Sequence, residues 1–291
     1  MRKVTAAAIQ MACAESTVEN LAIAERLVRK AARDGASVIL LPELFERRYF
    51  CQERRYAYYR YAVPVSENPA VLRLSSVARE LSIVLPVSFY EKCGNVLYNS
   101  VAMIDADGSL LGVYRKTHIP DDHYYQEKFY FSPGNTGFRV WETRYGRIGV
   151  GVCWDQWFPE AARCMAVMGA ELILYPTAIG SEPILESDSM EHWRRCMQGH
   201  SAANMIPVIT ANRVGTETVT PCAENGGQSS SLRFYGSSFL TDETGGIAAD
   251  AGRDKECCIS HTYDLDELSE KRIAWGLFRD RRPECYSALM R

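Results

Sequence analysis

The chain repeats itself, and the repeat limits what it can fold into. Residues 34–43 read DGASVILLPE and residues 168–177 read MGAELILYPT, with Gly-Ala, Ile-Leu and Pro at the same spacing. Each copy follows a stretch of helical apolar periodicity. Before the first it is VENLAIAERLVRKAAR, with Leu21, Ala24, Leu27, Val28 and Ala31 on one face. Before the second it is FPEAARCMAV, where Pro159 suits a first helical turn. A second repeat pairs NSVAMIDADGSLLGVYRK (99–116) with SSFLTDETGGIAADAGR (237–253), each a strand, an Asp-x-x-Gly turn and another strand.

Between these repeats each half holds a further helix and strand, NPAVLRLSSVARE with IVLPVSF and SMEHWRRCMQGHSAAN with IPVITAN. The opening strands KVTAAAIQ and GRIGVGVC also correspond. Matches in the same order argue against chance similarity between unrelated βα units. Two α/β halves predict two mixed sheets, each with helices on one face. Their uncovered apolar faces bury best against each other, which gives a four-layer α-β-β-α sandwich. One domain over 1–291 is expected, with an aromatic and basic C-terminal tail over about 272–291 that packs on its own surface or a neighbour.

Composition narrows the function classes. A net charge of −3 offers no basic stripe for nucleic acid. The start MRKVTAAAIQMACA has the flavour of a secretion signal, but Gln10 interrupts an apolar run that is already too short, so a first strand is the better reading. No run reaches the eighteen or so apolar residues of a membrane helix. The expectation is a soluble, cytoplasmic chain. Its ten cysteines lack CxxC spacing, and in a reducing compartment most of them are expected to behave as small hydrophobes. Neither a disulfide frame nor a zinc site is expected.

Three polar residues of different types stand at the ends of strand-like runs: Glu43 after VILLP, Lys116 after LLGVYR and Cys153 after RIGVGV. A thiol, a carboxylate and an ammonium suffice for covalent attack on an amide-like carbon, as nucleophile, proton carrier and oxyanion partner. Singly, each has a plainer reading: an inert buried cysteine, a glutamate leaving the core, a solvated lysine. A carboxylate near pKa 4.3 is about four units, or roughly 5–6 kcal/mol, short of deprotonating a thiol near 8.5. Burial must raise Glu43, or a cation and the helix start at Pro159 must lower Cys153. His118, two residues beyond Lys116, keeps a Cys-His hydrolase open as an alternative, and a non-catalytic binding protein is the remaining one.

The motifs LLPELF, YRKTHIP and GVCWDQWFPE resemble those of the nitrilase superfamily of carbon–nitrogen hydrolases, and the resemblance spans essentially the whole chain. It implies the αββα fold, a Glu43-Lys116-Cys153 triad, assembly as a homo-oligomer and no metal or organic cofactor. It assigns Glu127, in YQEKFYFSPG, as a second glutamate supporting the lysine or the substrate nitrogen. The backbone N–H of Trp154, the residue following the nucleophile, is the expected oxyanion donor beside Lys116. The segments HIPDDHYYQEKFYF and CWDQWFPEAARCMAVMGAELILYPTAIGSEP look most like the branch that hydrolyses N-carbamoylputrescine to putrescine, ammonia and carbon dioxide in polyamine biosynthesis.

Such a carbamoyl-amine substrate ends in an ammonium, which needs an acid or an aromatic face. Glu182 is the candidate acid, with Asp122 and Asp121 behind it, and Trp154, Tyr125 and Tyr130 are candidate walls for the methylene chain. An N-carbamoyl amino acid such as N-carbamoyl-β-alanine would need an arginine fork instead. Arg144, Arg194, Arg195 and Arg213 exist, but none stands at a strand-end rim. An ω-amide is the other alternative. The Gly/Ser-rich stretch TETVTPCAENGGQSSSLRFYG (216–236) reads as a surface loop.

Overall fold

The computed structural model describes residues 1–181 and 188–290. The first half runs β1 (Lys3–Gln10), α1 (Thr17–Arg33), β2 (Val38–Leu40), α2 (Pro69–Leu81), β3 (Leu85–Cys93), β4 (Val96–Ile104) and β5 (Leu110–Arg115). The second runs β6 (Val140–Thr143), β7 (Gly146–Val150), α3 (Pro159–Val167), β8 (Leu172–Pro176), α4 (Met190–Asn204), β9 (Val208–Ala211), β10 (Val214–Val219), β11 (Ser230–Tyr235), β12 (Phe239–Thr241) and β13 (Ile247–Asp250). The chain then returns through β14 (Cys257–Asp264) and closes with α5 (Leu265–Trp275).

Strand β14 pairs antiparallel with β1, and β1 pairs parallel with β2. A parallel bridge at Val38–Val84 joins β2 to the antiparallel meander β3-β4-β5. The first sheet therefore reads β14-β1-β2-β3-β4-β5. The second reads β6-β7-β8-β9-β12-β13, with the same alternation of parallel and antiparallel neighbours. The repeat in sequence is a repeat in topology.

Side-chain alternation builds the layers. Ala6, Ala8, Val38, Leu40, Val101 and Met103 face Ile148, Val150, Leu172, Leu174, Ile209 and Leu240 in one core between the sheets. The opposite faces are covered by helices. Ala7, Ile9 and Ile39 pack against Leu27, Val28, Leu74 and Val77 of α1 and α2. Ile173, Tyr175 and Val208 pack against Met165, Trp193 and Met197 of α3 and α4. This is the α-β-β-α sandwich.

Ser16 caps α1, and Asn68 caps α2 with Pro69 at its start. Among the described residues, no helix is long and apolar enough to cross a membrane.

One expectation is corrected. The stretch 216–236 is not a loose surface loop: β10 and β11 form a hairpin in register from Val214–Tyr235 to Val219–Ser230. Its alternating residues Glu217, Ser230, Leu232 and Phe234 are buried. Polar composition hid a hairpin whose buried face is mixed: Glu217 and Ser230 hydrogen-bond to a loop, while Leu232 and Phe234 pack in an aromatic core with Tyr49 and Tyr125.

Candidate active site

Glu43 lies three residues past β2, where the chain turns sharply. Leu44 has φ of 48°, a left-handed conformation disfavoured for a branched residue. The turn is held on both sides: Leu44 N–H donates to Ser88 Oγ (3.0 Å), and Arg213 Nη2 donates to Leu44 O (2.5 Å). Arg213 Nε and Nη2 also donate to Glu43 O, at 3.1 and 3.0 Å. Lys116 follows β5, its N–H donating to Asn99 O of β4 (2.8 Å). Glu127 sits in a 3-10 turn over Glu127–Phe129.

These ends converge on one fully buried cluster. Lys116 Nζ donates to Glu43 Oε1 (2.9 Å) and to Glu127 Oε2 (2.6 Å). Asn99 Nδ2 donates to Glu43 Oε1 (2.6 Å), and Tyr49 OH donates to Glu127 Oε1 (2.6 Å). Glu43 Oε2 has no hydrogen-bond partner among the described residues, which leaves one buried acceptor open.

Burial alone would pull Lys116 down, but Glu127 and Glu43 outweigh it and hold its pKa well above the usual lysine value. Burial pushes Glu127 up to about 7, with Glu43 adding and Lys116 opposing. One ammonium thus serves two carboxylates, a pairing tolerable in a dry interior only because every bond to it is charge-assisted.

Cys153 is 6% exposed and has φ of 42°. Its Sγ lies 3.8 Å from Ala178 O. The expected lowering of its pKa is overturned. Burial pushes the thiol well above its ordinary value, Glu43 adds to the rise, and Lys116 only partly opposes it. A 3-10 turn over Cys153–Trp157 separates the thiol from α3, so the α3 dipole is not delivered to it. Gly151 is required by close approach, since a Cβ there would stand 2.7 Å from the Tyr175 ring.

The other expected site residues are distributed as follows. Trp154 is 40% exposed with its ring set edge-on to Trp157. Tyr125 is buried beside the cluster, its ring 5.8 Å from that of Tyr49, and its hydroxyl accepts from Gly180 N–H (3.0 Å). Tyr130 belongs to an aromatic cluster with Phe50 and Phe131. Its hydroxyl is used on backbone, accepting from Arg55 N–H and donating to Glu53 O, rather than on a methylene chain. Asp122 is exposed in a turn, capping His123 N–H (2.7 Å), and Asp121 lies 3.9 Å from Arg54. Glu182 lies outside the described residues.

The arginines considered for a carboxylate are occupied. Arg194 pairs with Asp250, Arg195 approaches Glu191, Arg144 lies over the Tyr145 ring, and Arg213 is buried on carbonyls and Glu217.

Sequence reasoning missed Asn99, Tyr49 and Glu217, and weighed Arg213 only as a carboxylate fork. Asn99 was visible as an amide within the otherwise largely apolar strand β4. Tyr49 and Glu217 are brought to the site by loop and hairpin packing that leaves no period in the chain.

A two-sheet sandwich that gathers a thiol, two carboxylates and a lysine at its strand ends defines a class of hydrolase, and the comparisons agree. The carbon-nitrogen hydrolase family model matches residues 5–273, and the chain belongs to that family, within the nitrilase superfamily. It is 52% identical over 290 residues to the N-carbamoylputrescine amidase of Solanum tuberosum, covering 99% of this chain and 95% of the relative. It is 51% identical over 292 residues to the citrullinase of Francisella tularensis, covering 100% and 99%. The crystal structure of a carbon-nitrogen hydrolase from Helicobacter pylori G27 superposes with a TM-score of 0.90 at 35% identity, covering 99% of each chain.

Proposed function

We propose that this enzyme hydrolyses N-carbamoylputrescine to putrescine, ammonia and carbon dioxide through a carbamoyl thioester on Cys153. The observation that carries the reading is near-complete coverage by N-carbamoylputrescine amidases from potato, tomato, rice and Arabidopsis at 50–52% identity.

The buried cluster supports the chemistry. The thiol rests protonated, so its proton moves as it attacks the ureido carbon, and the open Glu43 Oε2 is the acceptor. Lys116 Nζ and the Trp154 N–H hold the developing oxyanion. Glu43 returns the proton to the leaving nitrogen, which departs with the C–N electron pair. Glu43 then takes a proton from the water that cleaves the thioester and passes it to the departing Cys153 sulfur, and the carbamic acid released breaks down to carbon dioxide and the remaining nitrogen product. Glu127 holds Lys116 from its far side. Asp122, Tyr125 and Glu182 remain the proposed contacts of the amine end, and Glu182→Gln is expected to raise KM for the amine far more than it lowers kcat. Action in the cytoplasm, within polyamine biosynthesis, and assembly as a homo-oligomer belong to the same proposal. Exposed Ile273, Trp275, Leu289 and Met290 in the C-terminal segment offer apolar surface for assembly.

A second reading has a specific observation behind it, the 51% identity to a citrullinase. Citrulline has the same ureido group and carbon chain, with an α-carboxylate added at the far end. The deciding experiment measures ammonia release in EDTA from N-carbamoylputrescine, citrulline and N-carbamoyl-β-alanine at equal concentration. Preference for the amine is expected. Preference for citrulline would keep the Cys153 chemistry and overturn the substrate. Silence on all three would overturn both.

A further inference from the structure

Asp155 lies two residues beyond the thiol, is fully buried, and takes no part in the chemistry described above. Its oxygens accept from two separate places. On the nucleophile's side, Val152 N–H donates to Oδ2 (2.9 Å). On the lysine's side, Tyr114 OH donates to Oδ2 (2.7 Å) and His118 N–H to Oδ1 (2.9 Å). His118 Nδ1 also lies 2.8 Å from Oδ1. That oxygen already accepts an N–H, and a carboxylate oxygen offers no hydrogen, so Nδ1 carries the proton in either state of the ring. The ring is fixed further by face-to-face stacking on Phe158, with centroids 3.6 Å apart and planes 6° from parallel.

Tyr114 and His118 bracket Lys116 at a distance of two residues each way. The carboxylate therefore joins the end of β5, in the first sheet, to the end of β7, in the second. It does so beside the left-handed backbone of the nucleophile itself. A non-glycine residue at φ of 42° is in a disfavoured left-handed conformation and persists only where its surroundings over-determine it.

We propose that Asp155 and His118 are positioning residues that tie the turn of Cys153 to the strand end of Lys116, keeping the nucleophile and the oxyanion partner in register across the two sheets. This rests on the roles proposed above for Cys153 and Lys116. It also gives His118 a purpose other than proton transfer to the thiol.

The test compares His118→Phe, His118→Asn, Tyr114→Phe and Asp155→Asn, each by kcat and KM on N-carbamoylputrescine, by Tm, and by the rate of Cys153 alkylation with iodoacetamide. Phenylalanine keeps the stacking and removes the Nδ1 hydrogen. Asparagine puts an amide N–H near the same place and cannot act as a base. His118→Phe is expected to lower kcat and alkylation about tenfold with KM within twofold, and His118→Asn to restore most of that loss. Asp155→Asn turns an amide hydrogen toward donors, so about a hundredfold loss in both is expected. Tyr114→Phe, which keeps the ring but removes the bond to Asp155 together with those to Thr117 Oγ1 and N–H, replaces it if Asp155→Asn does not fold, with a severalfold loss. Equal inactivity of both His118 variants would overturn the proposal in favour of a chemical role, and unchanged kcat and alkylation in both would overturn it outright. Alkylation needs no substrate, so a wrong substrate assignment silences turnover alone and leaves the tie testable.

Discussion

The two halves share elements, order and sheet topology, yet end their matched strands on different residues. Aligned by the repeats, Glu43 corresponds to Thr177, Cys153 to Gln10 and, on the shared Asp-x-x-Gly turn, Lys116 to Arg253. The members of each pair have separate fates. Glu43 N–H donates to Thr177 O at 3.3 Å, so these two strand ends meet, but only Glu43 places a carboxylate in the cluster. Gln10 is as buried as its counterpart and spends its amide on structure, donating to Gly252 O and Lys255 O and accepting from Ser238 N–H. Arg253 reaches outward to Asp188. Duplicated topology supplies several rims at which a polar side chain can be held, and a few substitutions decide which rim carries the reaction.

The sharpest test of that division is the pair Cys153 and Gln10. Cys153→Ala is expected to lower kcat on the order of 10⁴-fold or more with little change in Tm. Gln10→Ala should do the reverse, losing about 2–3 kcal/mol in denaturant titration because buried backbone groups lose their partner, with kcat per folded molecule within a few-fold. A Gln10 variant that folds normally but is inactive would break the comparison.

The lysine pair is next. Lys116→Met should reduce kcat on the order of 10²–10³-fold through the lost oxyanion partner. It should also destabilise by about 3 kcal/mol, since two buried carboxylates lose their cation and Glu127 must take up a proton. Arg253→Met removes a half-exposed pair and should cost about 0–1 kcal/mol with kcat unchanged. Steady-state kinetics and thermal melts on the two variants separate these outcomes.

The features legible in the chain were those with a period or a repeat. The sandwich follows from matched βα units, and the three strand-end residues follow from polar side chains terminating apolar runs. What stayed hidden depends on packing between distant segments. Tyr49 sits in RRYFC, which has neither alternation nor helical spacing, and is made part of the site by a single bond to Glu127. Thiol acidity was misjudged because Pro159 announces a helix, whereas the intervening 3-10 turn and the depth of burial appear only in three dimensions. Segment 216–236 was misjudged because its composition is polar, and only in three dimensions do Leu232 and Phe234 come to a buried face.

The pH dependence sharpens the comparison within the active rim. Both bonds to Glu127 are donated to it, by Lys116 and Tyr49, so its ionised form fits the site. With its pKa pushed up to about 7, kcat/KM should fall as pH drops through that value. Tyr49→Phe removes a donor that favours the ionised form, which raises the pKa further. The acid limb of kcat/KM should move to higher pH by on the order of one unit. An unmoved limb would mean that Glu127 does not control the profile.

The smallest effect concerns the part of the second half that has no counterpart in the first, the β10–β11 hairpin inserted between β9 and β12. Glu217 on β10 accepts from Arg213 Nη1 (3.0 Å) and from Tyr49 N–H (2.6 Å). Ser230 and Gln228 reach Gln52 and Arg54 N–H, and Asn225 reaches Glu53. The hairpin is thus bonded along the loop that carries Tyr49, while Arg213 holds the Glu43 turn. Glu217→Gln must aim an amide hydrogen at one of two donors, so a stability loss of about 1–3 kcal/mol is expected. A three- to tenfold fall in kcat should accompany it, because Tyr49 and the Glu43 turn relax together. Thr218→Ala, at an exposed position of the same strand, should change neither. If Glu217→Gln lowers Tm but leaves kcat intact, the insertion only covers the site, and the asymmetry between the halves is confined to their strand ends.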